Sequence, residues 1–176
     1  MRIERLTDKH HPMYPAALAL YGSSFPHHEQ REAASQEAIL QDGEYCFGLL
    51  YDEDTFVGFA LWWETETFLY LEHFCILPEK RNRRYGQKGL ELLLQSGKTV
   101  ILEIDPPVDE ISLRRKGFYA RCGFAENPYP HVHPPYHRGN RGHDLVVMTA
   151  PGSITQAEYD RFREYLERRV MRSVYG

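Results

Sequence analysis

The chain has 176 residues, enough for one domain built around a single sizeable core. Its hydrophobic share of 42% and charged share of 26% are those of an ordinary globular protein. A net charge of −4 argues against nucleic acid as the main partner, since phosphate neutralisation needs a basic surface, and no apolar run approaches the ~18–20 residues that span a bilayer.

Residues 2–6 (RIERL) predict a short first strand. Residues 11–24 place Leu18, Leu20 and Tyr21 in helical spacing, and the chain breaks at Ser24-Phe25-Pro26. Residues 28–41 read as a polar amphipathic helix ended by Asp42-Gly43. Residues 44–51 and 55–63 read as two strands of a hairpin with a short acidic turn between them. Trp62 and Trp63 are adjacent in the second, so one points to each face. Residues 67–77 (TFLYLEHFCIL) are an apolar run with one acid in it, as in a central strand covered on both faces, and Pro78 ends it.

Residues 84–96 predict a helix with Leu90, Leu92, Leu93 and Leu94 on its buried side. Residues 99–104 are a second central strand, residues 111–121 a helix stopping near Cys122-Gly123, and Phe124 begins a further strand. Residues 127–143 form a loop rich in Pro, His and Tyr, and residues 144–149 are the last strand. Thr155-x-x-Glu158 is a capping box that opens a C-terminal helix, with Tyr159, Phe162, Leu166 and Val170 along one face. We expect one domain over 1–150 and a C-terminal helix extension over 151–176. The apolar stripe of that extension must be covered by the domain or by a second subunit, which leaves a homodimer open. The three cysteines, Cys46, Cys75 and Cys122, form no CxxC pair and read as reduced thiols of a cytoplasmic protein. No signal peptide is visible.

Residues 80–88 (KRNRRYGQK) carry five cations and no acid, between an apolar strand and a leucine-rich helix. A helix N-terminus offers unpaired amides and a partial positive charge, which together cradle an anion. Gly86 and Gly89 are expected to let a phosphate approach the backbone, with Arg83, Arg84 and Lys88 adding charge. Neither GxxxxGK[ST] nor GxGxxG is present.

The order of these residues resembles a known family. Residues 76–94 (ILPEKRNRRYGQKGLELLL) resemble the acyl-CoA-binding motif of the GNAT superfamily of N-acetyltransferases, an apolar strand end followed by R-x-x-G-x-G/A opening a helix. Here the pattern is Arg83-x-x-Gly86-x-Lys88, with Lys88 in place of the last small residue and Gly89 next to it. Residues 114–124 (RRKGFYARCGF) resemble the superfamily's later F-Y-x-x-x-G-F motif. Ser24-Phe25-Pro26 is similar to its entry helices. The resemblance covers most of residues 1–150.

The resemblance implies an α/β (α+β) fold: a mixed, mostly antiparallel sheet with a splayed central parallel strand pair and helices on both faces. It implies acetyl-CoA as co-substrate, its pantetheine along Phe74, Cys75, Ile76 and Leu77. The pyrophosphate would lie on Arg83, Arg84, Tyr85, Gly86, Gln87, Lys88 and Gly89. The activity implied is direct acetyl transfer to the primary amine of a small molecule; protein or peptide acetylation and a non-catalytic acyl-CoA sensor are the alternatives. Tyr119, in the second motif, is then the candidate acid that protonates the leaving thiolate. For the base the candidates in order are Glu72, Glu103 and His73, since a carboxylate inside an apolar strand tends toward a raised pKa. His73 follows Glu72 and is expected on the opposite face. Phe25, Tyr129 and Tyr136 are expected to shape the acceptor pocket, with Pro134-Pro135-Tyr136 as a rigid wall. His131, His133, His137 and His143 are too loosely spaced to predict a metal site, so no metal is expected.

Overall fold

A computed structural model describes residues 1–174. Its strands are β1 (Arg2–Leu6), β2 (Tyr45–Asp52), β3 (Thr55–Glu64), β4 (Phe68–Ile76), β5 (Thr99–Ile104), β6 (Ala125–Glu126), β7 (His131–His133) and β8 (His143–Ala150). Its helices are α1 (Tyr14–Ser24), α2 (Ala33–Ile39), α3 (Tyr85–Leu94), α4 (Glu110–Arg121) and α5 (Gln156–Tyr165). The sheet runs β1-β2-β3-β4-β5-β8-β6, with β7 paired to β8. Every pairing is antiparallel except that of β4 with β5.

That parallel pairing is short. It runs from Phe68↔Thr99 to Leu71↔Leu102 and stops. Beyond it β5 continues beside β8 to Ile104, and β4 continues beside β3 to Ile76. The two central strands therefore part, and the edge of β4 from Glu72 to Ile76 faces a gap.

The β3–β4 ladder contains a bulge. Leu61 faces His73 and Trp62 faces Leu71, so Glu72 has no partner in β3. An extra residue breaks the period-two alternation of a strand. Before the bulge Phe68 and Tyr70 pack into the core on the first sheet face, and Leu69 and Leu71 into that on the second. After it Cys75 lies on the first face and Phe74 on the second. Glu72 and His73 consequently share one face, and Tyr136 touches both. The opposite orientation expected for His73 assumed an unbroken strand.

The first face is covered by α1, α2 and α5, the second by α3 and α4. Trp63 is buried in the first core and Trp62 in the second. The capping box of α5 is formed by Thr155 and Glu158. Tyr159, Phe162, Leu166 and Val170 join the same core as Leu6, Phe47 and Tyr70. The C-terminal stripe is thus covered within the chain. No helix among the described residues is long and apolar enough to cross a membrane.

Two predicted elements differ. Residues 28–41 divide into a 3-10 turn (His27–Glu29) and the shorter α2, because Gln30 and Glu32 take extended backbone and Arg31 turns its side chain inward. The 127–143 loop contains β7, whose alternation buries His131 and His133 and exposes Val132. In α3, Leu90 and Leu93 are buried, whereas Leu92 and Leu94 are only partly so.

Candidate functional site

The gap between β4 and β5 opens into a cavity of about 450 Å3. Its floor is Leu71 to Ile76 on one side and Leu102 to Asp105 on the other. Tyr119 of α4 borders it, and so do Phe25 and the Pro134-Pro135-Tyr136 wall.

Glu72 lies on this wall with its side chain 1% exposed. Four donors converge on it. Arg31 gives Nε at 3.0 Å and Nη2 at 2.9 Å, the Tyr136 hydroxyl lies at 2.8 Å, and Trp63 Nε1 reaches the other oxygen at 2.9 Å. Burial pushes the carboxyl pKa up, but Arg31, His73 and these hydrogen bonds outweigh it and hold it below the ordinary value. Arg31 is as buried as its partner and also donates to the Val170 carbonyl at 2.8 Å. Among the described residues no helical amide competes for that carbonyl, because Val174 donates to Met171 instead, just after a π-helical turn at Leu166–Val170.

Glu103, across the gap on β5, is engaged in a similar way. The Tyr70 hydroxyl donates to it at 2.5 Å and His131 Nε2 pairs with its other oxygen. Burial raises its pKa, while His133 and His131 lower it further than burial raises it. Protonating Glu72 would break a buried ion pair, and protonating Glu103 would disturb the hydrogen bonds it makes with Tyr70 and His131, so neither offers a proton a better home than it already has.

The Tyr119 phenol is pushed up to about 12 by burial, and so it remains a proton donor at neutral pH. Its ring rests between Phe118 and Phe124, at centroid distances of 5.2 and 5.8 Å. Tyr136 is buried on the cavity wall. Phe25 packs edge-on against His73 at 4.7 Å. Tyr129 is not brought there. It stacks on Tyr159 at 4.7 Å and its hydroxyl donates to the Ile154 carbonyl, so it fastens the segment before α5.

At the start of α3, Asn82 and Arg84 adopt left-handed backbone with φ of 62° and 63°. Left-handed residues alternating with right-handed ones turn successive amides inward and form anion-binding concavities. An arginine held there is strained, a feature that clusters at binding sites. The first bond within the helix runs from the Lys88 amide to the Arg84 carbonyl at 3.0 Å. The amides of Tyr85, Gly86 and Gln87 precede it and have no partner within the helix. The two glycines also have a packing role. A Cβ on Gly86 would lie 3.1 Å from the Phe118 ring, and one on Gly89 the same distance from Phe74. They let α3 pack closely on the sheet and on α4, and the ligand side of the loop is lined by amides and cations. On β4, Phe74 packs toward α3, Cys75 lies 2.9 Å from the Ser24 hydroxyl, and the Ile76 carbonyl accepts from Arg81 at 3.3 Å. The Leu77 amide is already taken by the Val57 carbonyl at 2.9 Å.

The histidines of the 127–143 segment are dispersed. His131 and His133 face Glu103, and His137 stacks on His27 at 4.3 Å. At the cavity mouth His143 lies 3.9 Å from Glu29 and 3.6 Å from Asp105, which Arg115 holds at 2.7 Å. Among the described residues, His28, Glu29 and His143 bring ligand-type atoms within 4.8 Å of one another. Half-exposed groups cluster in this way without an ion, and here they form the polar rim of the mouth. Arg31, Tyr70, Glu29 and Asp105 belong to the site and are absent from the sequence reading. The one signal for Arg31 was indirect: a carboxylate in a buried strand needs a buried cation.

The model of the acetyltransferase (GNAT) family matches residues 4–124. No curated protein sequence matches the chain. Among solved structures, a GNAT-family protein from Bacteroides thetaiotaomicron superposes with a TM-score of 0.91 at 29% identity, covering 97% of this chain and 98% of that one. The ribosomal-protein-S18-alanine N-acetyltransferase from Escherichia coli gives 0.56 at 20% identity, covering 88% and 95%. An aminoglycoside 6'-N-acetyltransferase complexed with coenzyme A gives 0.56 at 17%, covering 85% and 96%. The last two likenesses are of fold. With the parted β4 and β5, the amide-lined start of α3 and a family match over more than half of its length, this chain belongs to the acetyltransferase (GNAT) family.

Proposed function

We propose that this acetyltransferase transfers the acetyl group of acetyl-CoA directly to the primary amine of a small molecule. The observation that carries the reading is the cavity in the parted strands: it joins the open edge of β4 to a pocket closed by Phe25, Pro134, Pro135 and Tyr136. The donor set suits a diphosphate, with free amides from Tyr85 to Gln87 beside Arg83, Arg84 and Lys88. The free edge from Phe74 to Ile76 suits an extended amide-bearing arm. The bound co-substrate supplies an activated acetyl group as a thioester.

The remaining work falls to the chain. Tyr119 stands on the cavity wall as a protonated phenol and donates to the departing thiolate. Glu72 and Glu103 hold the two walls in place through Arg31, Tyr136, Tyr70 and His131. Glu29 and Asp105 present carboxylates at the mouth, where a cationic amine enters. Burial, and Asp105 beside it, push the Glu29 pKa up, so this acid gains from a cation arriving next to it.

The test is thiol release from acetyl-CoA with a panel of small primary amines, run beside peptides bearing free N-termini or lysines. Turnover with small amines is expected. Turnover confined to peptides would overturn the small-molecule reading, and saturable acetyl-CoA binding with no turnover at all would mark a sensor.

A further inference from the structure

A primary amine reaches the cavity as an ammonium and must lose a proton before its nitrogen can attack. Glu72 and Glu103 are already committed to Arg31 and His131. A third group on the same wall is differently placed. His73 Nε2 lies 2.9 Å from the Glu29 backbone carbonyl. A carbonyl only accepts, so Nε2 carries the hydrogen. Burial keeps the ring neutral, pulling its pKa below the ordinary histidine value against the opposing pull of Glu72. The lone pair is then on Nδ1, and the tautomer follows from the geometry.

His73 is 5% exposed, and its Nδ1 is buried with no hydrogen-bond partner among the described residues. Buried polar atoms are almost always paired, so this orphan, on a residue that lines the cavity, calls for a donor that the described residues do not supply. The surrounding groups do not provide one. Phe25 and Tyr21 meet the ring edge-on, and the Tyr136 hydroxyl donates to Glu72. The bulge at Glu72 is what turns His73 to this face, beside a carboxylate that steadies an imidazolium once formed.

We propose that His73 is the general base of the transfer, its Nδ1 lone pair taking the proton that the acceptor amine loses. The inference rests on the amine-acetylation reading above. The new C–N bond forms as the C–S bond breaks. One proton passes from nitrogen to His73, and another from Tyr119 to the thiolate. The imidazolium then returns its proton to water, and the Tyr119 phenolate recovers one.

The decisive variant is His73→Gln, whose amide can keep a donor on the Glu29 carbonyl but has no basic lone pair. With any small amine that the wild type acetylates, kcat is expected to fall ~10²–10⁴-fold while acetyl-CoA affinity stays unchanged. Exogenous imidazole is expected to restore rate saturably to His73→Gly. Nitrogen NMR of the wild-type histidine should show hydrogen on Nε2. Undiminished kcat in the Gln variant, or hydrogen on Nδ1, overturns the proposal. If no small amine is turned over by the wild type, the reading beneath it fails instead.

Discussion

At the scale of single residues, the transfer proposed above separates groups that hold from groups that react. Tyr119 belongs to the second kind, since its phenol stays protonated and faces the cavity. Tyr119→Phe keeps the ring contacts with Phe118 and Phe124 and removes only the hydroxyl that donates. Its kcat should fall ~10²–10⁴-fold with acetyl-CoA affinity retained, as measured by steady-state turnover beside calorimetry. Arg31 belongs to the first kind. Removing one partner of a buried ion pair strands the other charge, at a cost of ~3–5 kcal/mol. Arg31→Met should therefore lower stability by about that amount in urea unfolding. The double variant Arg31→Met, Glu72→Gln should recover part of the loss, because Gln leaves no charge behind. Additive losses in the two single variants would show that they do not act as a pair.

At the scale of elements, local chemistry was legible and long-range chemistry was not. The cationic loop before α3 and the Phe118-Tyr119 motif lie within a few residues of what they do, so their spacing could be read. β5 was predicted over its observed span, and Thr155 with Glu158 marked the start of α5. The partners of Glu72 and Glu103 lie 41 and 28 residues away, at Arg31 and His131, and no spacing rule joins them. The bulge at Glu72 was invisible for a related reason: a bulge is a count against a partner strand, and one strand alone shows only alternation. β3 adds a constraint at the far end of the same ladder. A Cβ on Gly58 would overlap the Cys75 carbonyl oxygen and come within 2.9 Å of Ile76 Cα. Both obstacles are backbone, which cannot rotate away. Gly58→Ala should push β3 from β4 beside the open edge proposed above for the extended arm of the co-substrate, lowering thermal stability and acetyl-CoA affinity together. A loss of stability with affinity unchanged would place the strain elsewhere.

At the scale of the whole molecule, burial of titratable groups sets a pH window for stability. Glu72 and Glu103 have folded pKa values held below the ordinary 4.5, by Arg31 and by the paired histidines, against the upward push of burial. Their unfolded forms bind protons first, so their contribution is complete above about pH 4.5 and is lost as pH falls toward the folded values. Tyr45, Tyr70 and Tyr136 act in the opposite sense. Burial, with Glu72 or Glu103 nearby, raises each well above 10.0. Their contribution is complete below about pH 10 and is lost above it, as the unfolded phenols ionise while the folded ones cannot. These groups sit at the junction of β4, β5 and the inward-turned Arg31, which in turn holds the C-terminal Val170 carbonyl. Acid should therefore loosen the sheet centre and the C-terminal helix in one step. Thermal melts followed by circular dichroism should give a plateau from about pH 6.5 to 9 with a single cooperative transition; below it buried His73 stays neutral while its unfolded form takes a proton, above it buried Cys46 stays a thiol while its unfolded form ionises, and the carboxylates and phenols steepen the two flanks further out. Arg31→Met should flatten the acid flank and spare the alkaline one, because it removes the pairing that depresses Glu72 and leaves the buried tyrosines in place. An acid flank unchanged by that substitution would mean that other carboxylates, such as Asp42 and Glu64, carry the acid sensitivity of the fold.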